Sequence, residues 1–110
     1  MNFEFNIKNK YFNLIKNEIK TIELRLYDKK RKLIKIGDKI TFVNDETQEK
    51  LFSTVINLYK SSNFINLTKQ IKIEQTGFKT IDDLNKTLLE FYSPKKQEKF
   101  GVLGIEIKLI

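Results

Sequence analysis

Cysteine, histidine, tryptophan and alanine are all missing from this chain, and proline occurs once. Without cysteine there is neither a disulfide framework nor a thiolate metal site. Without histidine there is no imidazole base and no histidine-based metal centre. Any catalysis has to come from Lys, Glu, Asp, Ser, Thr or Tyr side chains, and neither a cofactor nor a metal is expected. No run approaches the roughly 18 apolar residues of a membrane span. Met1-Asn-Phe-Glu-Phe5 has neither the basic start nor the apolar stretch of a secretion signal. The expectation is a soluble, cytoplasmic protein with no membrane partner.

Arginine is nearly missing as well. Of 21 cationic side chains only Arg25 and Arg31 are arginines, and both fall within Lys20–Arg31. Its planar fork of donors suits a carboxylate or phosphate held by two parallel hydrogen bonds, which a lysine cannot reproduce. Lys20, Glu23 and Arg25 therefore form the first candidate site. The plainer alternative is a Glu23–Arg25 pair on an exposed strand face.

The chain has 110 residues, 40% hydrophobic and 32% charged, which suits one domain over residues 1–110 with a single core. Nine Phe and four Tyr can fill that core without tryptophan. A net charge of +7 favours an anionic partner, nucleic acid first. The abundance of Lys, Asn, Ile and Phe fits an AT-rich coding sequence, so part of that charge is compositional. Its distribution says more: Lys29-Lys30-Arg31-Lys32 crowds four cations together, as a solvated turn or as a phosphate contact.

Residues 3–7 alternate apolar and polar as a half-buried strand does. From Lys8 to Ile19 the spacing of Tyr11, Leu14, Ile15 and Ile19 makes one helical stripe, with Asn9 as its cap. Ile22, Leu24 and Leu26 then alternate with Thr21, Glu23, Arg25 and Tyr27, so the polar members share one strand face. Lys20 precedes that strand and can swing over it. Asp28–Lys35 reads as a turn, Lys39–Val43 and Leu51 to about Tyr59 as strands joined by a polar hairpin loop. The segment from Ser61 to Gly77 is irregular with a short helix. Thr80 and Asp83 open a helix to Phe91 with Ile81, Leu84, Leu88 and Phe91 inward. Pro94 opens a second helix to Phe100, and Leu103, Ile105, Ile107 and Leu109 mark a final strand. Short connections between alternating strands favour an antiparallel or mixed sheet. The expected product is an α+β fold, a small partly closed barrel with flanking helices.

Lys20-Thr-Ile-Glu-Leu-Arg-Leu-Tyr-Asp28 resembles the ASCH family of the PUA-like superfamily. The family signature G-x-K-x-x-E-x-R aligns with Glu18-Ile-Lys20-Thr-Ile-Glu23-Leu-Arg25, with Glu18 in place of the glycine. Ile36-Gly-Asp-Lys-Ile-Thr-Phe42 is similar to the family's turn into its third strand. Phe91-Tyr-Ser-Pro-Lys-Lys-Gln-Glu-Lys-Phe-Gly-Val-Leu-Gly-Ile105 is similar to small bacterial members. The resemblance implies a PUA-like β-barrel whose cleft, lined by the signature strand, takes RNA, a nucleotide or a nucleoside.

Some relatives hydrolyse the amide of N4-acetylcytidine with a K-T-x-T run and a distant carboxylate, and others have been proposed as ribonucleases. Here Glu23 stands where the second threonine would be, and Glu74 falls near the place of the distant carboxylate. Two functions follow. One is RNA or nucleotide binding through Lys20, Thr21, Glu23, Arg25, Tyr27, Glu74 and Ser93. The other is a small hydrolase acting on a modified nucleoside amide or on RNA, with Lys20 and Glu23 catalytic. Tyr27 either stacks on a base or covers the barrel, and Ser93 either caps the Pro94 helix or joins the site. Asp82-Asp83 suits a helix start better than a metal site. The pocket is expected between the barrel and Tyr92–Ser93, with residues 60–80 opposite and Glu74 approaching Lys20.

Overall fold

The computed structural model describes all 110 residues. In chain order they form β1 (Asn2–Ile7), α1 (Asn9–Lys16), β2 (Ile22–Leu26), β3 (Lys39–Asn44), β4 (Lys50–Ser61), α2 (Phe64–Leu67), α3 (Ile81–Phe91), α4 (Pro94–Phe100) and β5 (Val102–Leu109). Single 3-10 turns occupy Arg31–Leu33 and Ile73–Thr76. The strands lie in the order β1-β3-β4-β5-β2. β1 runs parallel to β3 and every other pair is antiparallel, so the sheet is mixed. β1 and β2 are its two edges. The sheet curls until they approach each other, with the Arg25 guanidinium carbon 4.6 Å from the centre of the Phe5 ring. The result is the expected α+β half-barrel, left open along one seam.

Strand alternation sorts the apolar side chains into two layers. Phe3, Phe5 and Ile7 of β1, Ile40 and Phe42 of β3, Val55 of β4 and Leu103, Ile105 and Ile107 of β5 fill the barrel, closed by Phe12 and Ile15 of α1. Ile22, Leu24 and Leu26 point the other way, onto Phe64 and Leu67 of α2 and Leu84 and Leu88 of α3. Each such side chain contributes about 1.5–3 kcal/mol on burial. β2 is therefore covered on both faces, and its charged residues lie on the side of the barrel interior. No helix is long and apolar enough to cross a membrane.

Local signals set most boundaries. The Thr80 hydroxyl accepts from the Asp83 N–H, as the cap spacing requires, and Ser93 caps α4 by accepting from Lys96 N–H with Pro94 in the first turn. Two helical stripes differ from the expected ones. α1 stops at Lys16 and leaves Ile19 exposed, and its fully buried residues are Phe12 and Ile15. Asn9 is not its cap, because the Asn9 amide oxygen accepts from Asn13 and Asn44 side chains instead. In α3, Leu84 and Leu88 are buried while Ile81 and Phe91 remain largely exposed.

α1 ends early because the chain turns through Glu18, which has φ 59°. This is the signature position where the family pattern has glycine. A side chain in the left-handed region costs roughly 1–2 kcal/mol, part of which glycine would give back through its freer unfolded chain. Glu18→Gly is therefore expected to stabilise the protein by up to about 1 kcal/mol, a rise of a few degrees in Tm. Thermal unfolding checks this; a lower Tm would mean that the Glu18 side chain has a compensating role.

Candidate functional site

Edge strands present unpaired backbone groups, and β2 shows how this one is covered. Thr21 C=O accepts from Ile107 N–H and Tyr27 N–H donates to Gly101 C=O, so odd-numbered residues bond toward β5. Ile22, Leu24 and Leu26 must then turn their backbone groups toward the open seam. Signature side chains meet two of these groups. Lys20 Nζ donates to Ile22 C=O at 2.9 Å, and Glu23 Oε1 accepts from Leu24 N–H at 3.2 Å. They occupy positions that a sixth strand would otherwise fill.

The same side chains form one buried ionic cluster. Lys20 is 3% exposed and Glu23 7%. Lys20 Nζ lies 3.4 Å from Glu23 Oε1 and also donates to Thr76 C=O at 3.0 Å. Glu23 Oε2 accepts from Arg25 Nε at 3.3 Å and Nη2 at 3.0 Å. An ammonium has three protons and a carboxylate about four acceptor positions. Lys20 makes two hydrogen bonds and one ion pair, and Glu23 accepts three hydrogen bonds beside the same ion pair, so little capacity is left on either. Arg25 has capacity to spare: Nη1 has no partner within the protein and is not sealed from solvent. Gly77 keeps Lys20 in place from behind. It has φ 83°, and a Cβ there would come within 3.3 Å of Lys20 Cβ and 3.1 Å of Leu14 Cδ1.

Electrostatics follow from this packing. Burial pushes the Lys20 ammonium below its usual range, while the Glu23 carboxylate opposes the shift. Burial alone would raise Glu23, but Lys20 and Arg25 overcome it and hold the carboxyl below the ordinary value. Burial also works against the charge of Arg25, and Glu23 reverses the effect, so the guanidinium stays more basic than usual. The cluster keeps a net charge of about +1 in a weakly screened place. Tyr92 stands beside Arg25, close enough to interact though short of full hydrogen-bond geometry, and burial raises its phenol while Arg25 opposes.

A cavity of about 280 Å³ opens over this cluster along the seam. Its floor is Lys20, Glu23, Leu24 and Arg25; Asn6, Ile7 and Lys8 form the β1 side. Tyr11, Phe78, Phe91 and Tyr92 supply aromatic walls, with Thr87 and Leu88 between them and Asp45 at the rim. Tyr11 and Phe78 lie 6.1 Å apart between ring centres, Phe91 and Tyr92 6.3 Å.

A family model of the ASCH domain matches residues 5–110. The chain belongs to the ASCH domain family. Solved structures agree with this. The crystal structure of hypothetical protein PH0355 is 37% identical, with TM-score 0.89 and all of both chains covered. The solution structure of protein PF0455 from Pyrococcus furiosus is 33% identical, with TM-score 0.79, covering 100% of this chain and 98% of that one. An ASCH domain from Lactobacillus crispatus JV V101 shares the fold at 15% identity and TM-score 0.65, covering 98% of this chain and 78% of that one. No curated protein matches the chain. Membership supports an RNA-binding type of domain in general terms.

Within this ASCH domain the expected site residues divide. Lys20, Glu23 and Arg25 come together in the cavity floor. Thr21 adjoins them but does not line the cavity; its N–H donates to Gln75 C=O. Tyr27 packs on the barrel core with Lys60 Nζ 4.8 Å and Lys32 Nζ 5.5 Å from its ring centre, outside the cavity. Ser93 is occupied in capping α4. Glu74 is exposed on the 3-10 turn, and it is the Thr76 carbonyl of that turn that reaches Lys20. The other walls come mainly from α3 and the end of β1, with Tyr11 the one lining residue of α1 and Phe78 the one from the 60–80 region. Tyr11 and Phe91 were masked by their places in helical stripes, which read as core. Phe78 carries no periodic signal, and Tyr92 had only its place beside Ser93 to mark it.

Proposed function

We propose that this ASCH domain is a cytoplasmic RNA- or nucleotide-binding protein, and that the seam cavity receives one nucleotide unit. The observation that carries this reading is a cavity of about 280 Å³ with four aromatic side chains around one unsatisfied arginine nitrogen. Aromatic faces take any base by stacking, at about 1–3 kcal/mol each. The volume suits a single unit rather than a duplex. Arg25 Nη1 supplies the polar contact, while Glu23, itself paired with Lys20, holds the guanidinium in place. Lys29, Lys30 and Lys32 and the excess of lysine over the whole surface favour an RNA strand outside the cavity.

Fluorescence anisotropy with a labelled single-stranded RNA of about eight nucleotides tests this. The logarithm of the affinity is expected to fall linearly with log salt, with a slope of roughly 0.7 per phosphate neutralised. Absence of binding at low salt contradicts the proposal.

A hydrolase remains as a second reading because burial depresses Lys20, the change that fits a lysine for base catalysis. Against it, Lys20 Nζ already donates to two backbone carbonyls and is paired with Glu23, whose carboxylate accepts from Leu24 N–H and twice from Arg25. Incubation with N4-acetylcytidine and with labelled RNA decides: turnover lost in both Lys20→Ala and Glu23→Gln, each shown by circular dichroism to be folded at the assay temperature, would favour catalysis here, and turnover surviving both would place the chemistry elsewhere.

A further inference from the structure

One backbone acceptor in the cavity floor is unaccounted for. The β2 pairing turns the Leu24 carbonyl toward the seam, where no group of the protein donates to it. Leu24 is 5% exposed and lines the cavity. Buried carbonyls seldom go without a partner, so an orphan in a cavity floor needs an explanation. The adjacent residue supplies the complementary group, the free N–H bonds of Arg25 Nη1.

The opposite edge adds a similar pair. Met1 C=O accepts from Lys39 N–H and Ile7 C=O from Asp45 N–H, so odd-numbered residues of β1 bond toward β3. Asn6 therefore turns its own N–H and C=O to the seam, and it lines the same cavity. Leu24 C=O and Arg25 Nη1 in the floor and the Asn6 N–H and C=O on the β1 side thus offer both donors and acceptors to one cavity.

A phosphate matches Arg25 but sets its lone pairs against the Leu24 and Asn6 carbonyls. A flat group carrying an N–H beside an acceptor satisfies both kinds at once, as the Watson–Crick edge of each nucleobase does. We infer that the unpaired edges of β2 and β1 read the Watson–Crick edge of an inserted nucleobase, its N–H donating to Leu24 C=O and its neighbouring acceptor meeting Arg25 Nη1. The base stands where a sixth strand would, and the phosphates stay outside the cavity. The inference rests on the nucleotide-binding reading and narrows it from a nucleotide unit to the base.

Competition against labelled RNA separates the two. The probes are the four ribonucleosides, analogues methylated at the Watson–Crick N–H (N3-methyluridine, N1-methylguanosine, N4,N4-dimethylcytidine and N6,N6-dimethyladenosine) and ribose 5-phosphate. At least one nucleoside is expected to compete, with a loss of tenfold or more in its methylated analogue, because methylation leaves the buried carbonyl unpaired. Ribose 5-phosphate is expected not to compete at equal concentration. The carbonyl ¹³C resonance of Leu24 should move on nucleoside binding, while that of Ile22, already bonded to Lys20, stays. Competition by ribose 5-phosphate, equal affinity of the methylated analogue, or RNA binding that no nucleoside displaces overturns the inference and leaves RNA binding standing. Failure of RNA itself to bind removes both.

Discussion

Glu23→Gln is expected to destabilise the protein by about 3–5 kcal/mol, the cost of removing one member of a buried ionic cluster. The substitution keeps the shape of the side chain but leaves the buried Lys20 and the half-buried Arg25 without a countercharge. Domains of this size have about 5–15 kcal/mol in all, so the loss is a large share and should lower Tm by roughly 10–20 °C. Lys20→Met in the same background should recover part of it by removing one of the two cations. The effect also depends on pH. Glu23 in the folded protein lies below the unfolded carboxylate value of 4.5. Its contribution is therefore complete above that value and is lost as pH falls through the folded one. The gap between wild type and Glu23→Gln should narrow in acid, measured by urea unfolding from neutral pH downward. A gap independent of pH would show that the carboxylate charge is not what holds the cluster.

Arg25→Lys is expected to weaken RNA binding by about 10- to 100-fold, corresponding to one lost charge-assisted contact of about 1.5–3 kcal/mol. Lysine keeps the charge but cannot place two nitrogens on Glu23 Oε2 and a third in the cavity. It also loses the guanidinium's cation–π contact with the Phe5 ring. Arg31 is the natural control. It pairs with Asp28 at 2.9 Å and does not line the cavity, so Arg31→Lys should change affinity less than about threefold, the effect of a single peripheral phosphate contact at most. Anisotropy with the two variants checks the contrast. Equal losses would mean that general positive charge, not the fork in the seam, governs binding.

Much of the fold was readable because period-2 alternation is unambiguous in Ile22-Glu-Leu-Arg-Leu26 and in Val102–Leu109, and because Thr80, Ser93 and Pro94 mark helix starts. The parallel pairing of β1 with β3 was not, since alternation encodes which face is buried and says nothing of strand direction. Residue types and spacing marked Lys20, Glu23 and Arg25 but left a plain Glu23–Arg25 pair as the alternative, and the resemblance to the ASCH signature singled them out; the structure brings the three side chains together. What escaped was the enclosure around it. Phe78 sits in an irregular stretch, and Tyr11 and Phe91 occupy helical positions that fit core and cavity wall equally well. The identity of Lys20's partners escaped for another reason: Ile22 C=O and Thr76 C=O are backbone groups, which leave no mark in side-chain patterns.

Titration of ¹⁵N-labelled protein with a short single-stranded RNA tests the central claim most directly. Binding in the seam predicts the largest shift changes at the amides of Asn6, Lys8, Tyr11, Leu24 and Thr87–Tyr92 and at Arg25 Nε–H, all around one cavity. Changes confined to Lys29–Lys32 and Lys60, with the seam unmoved, would contradict it.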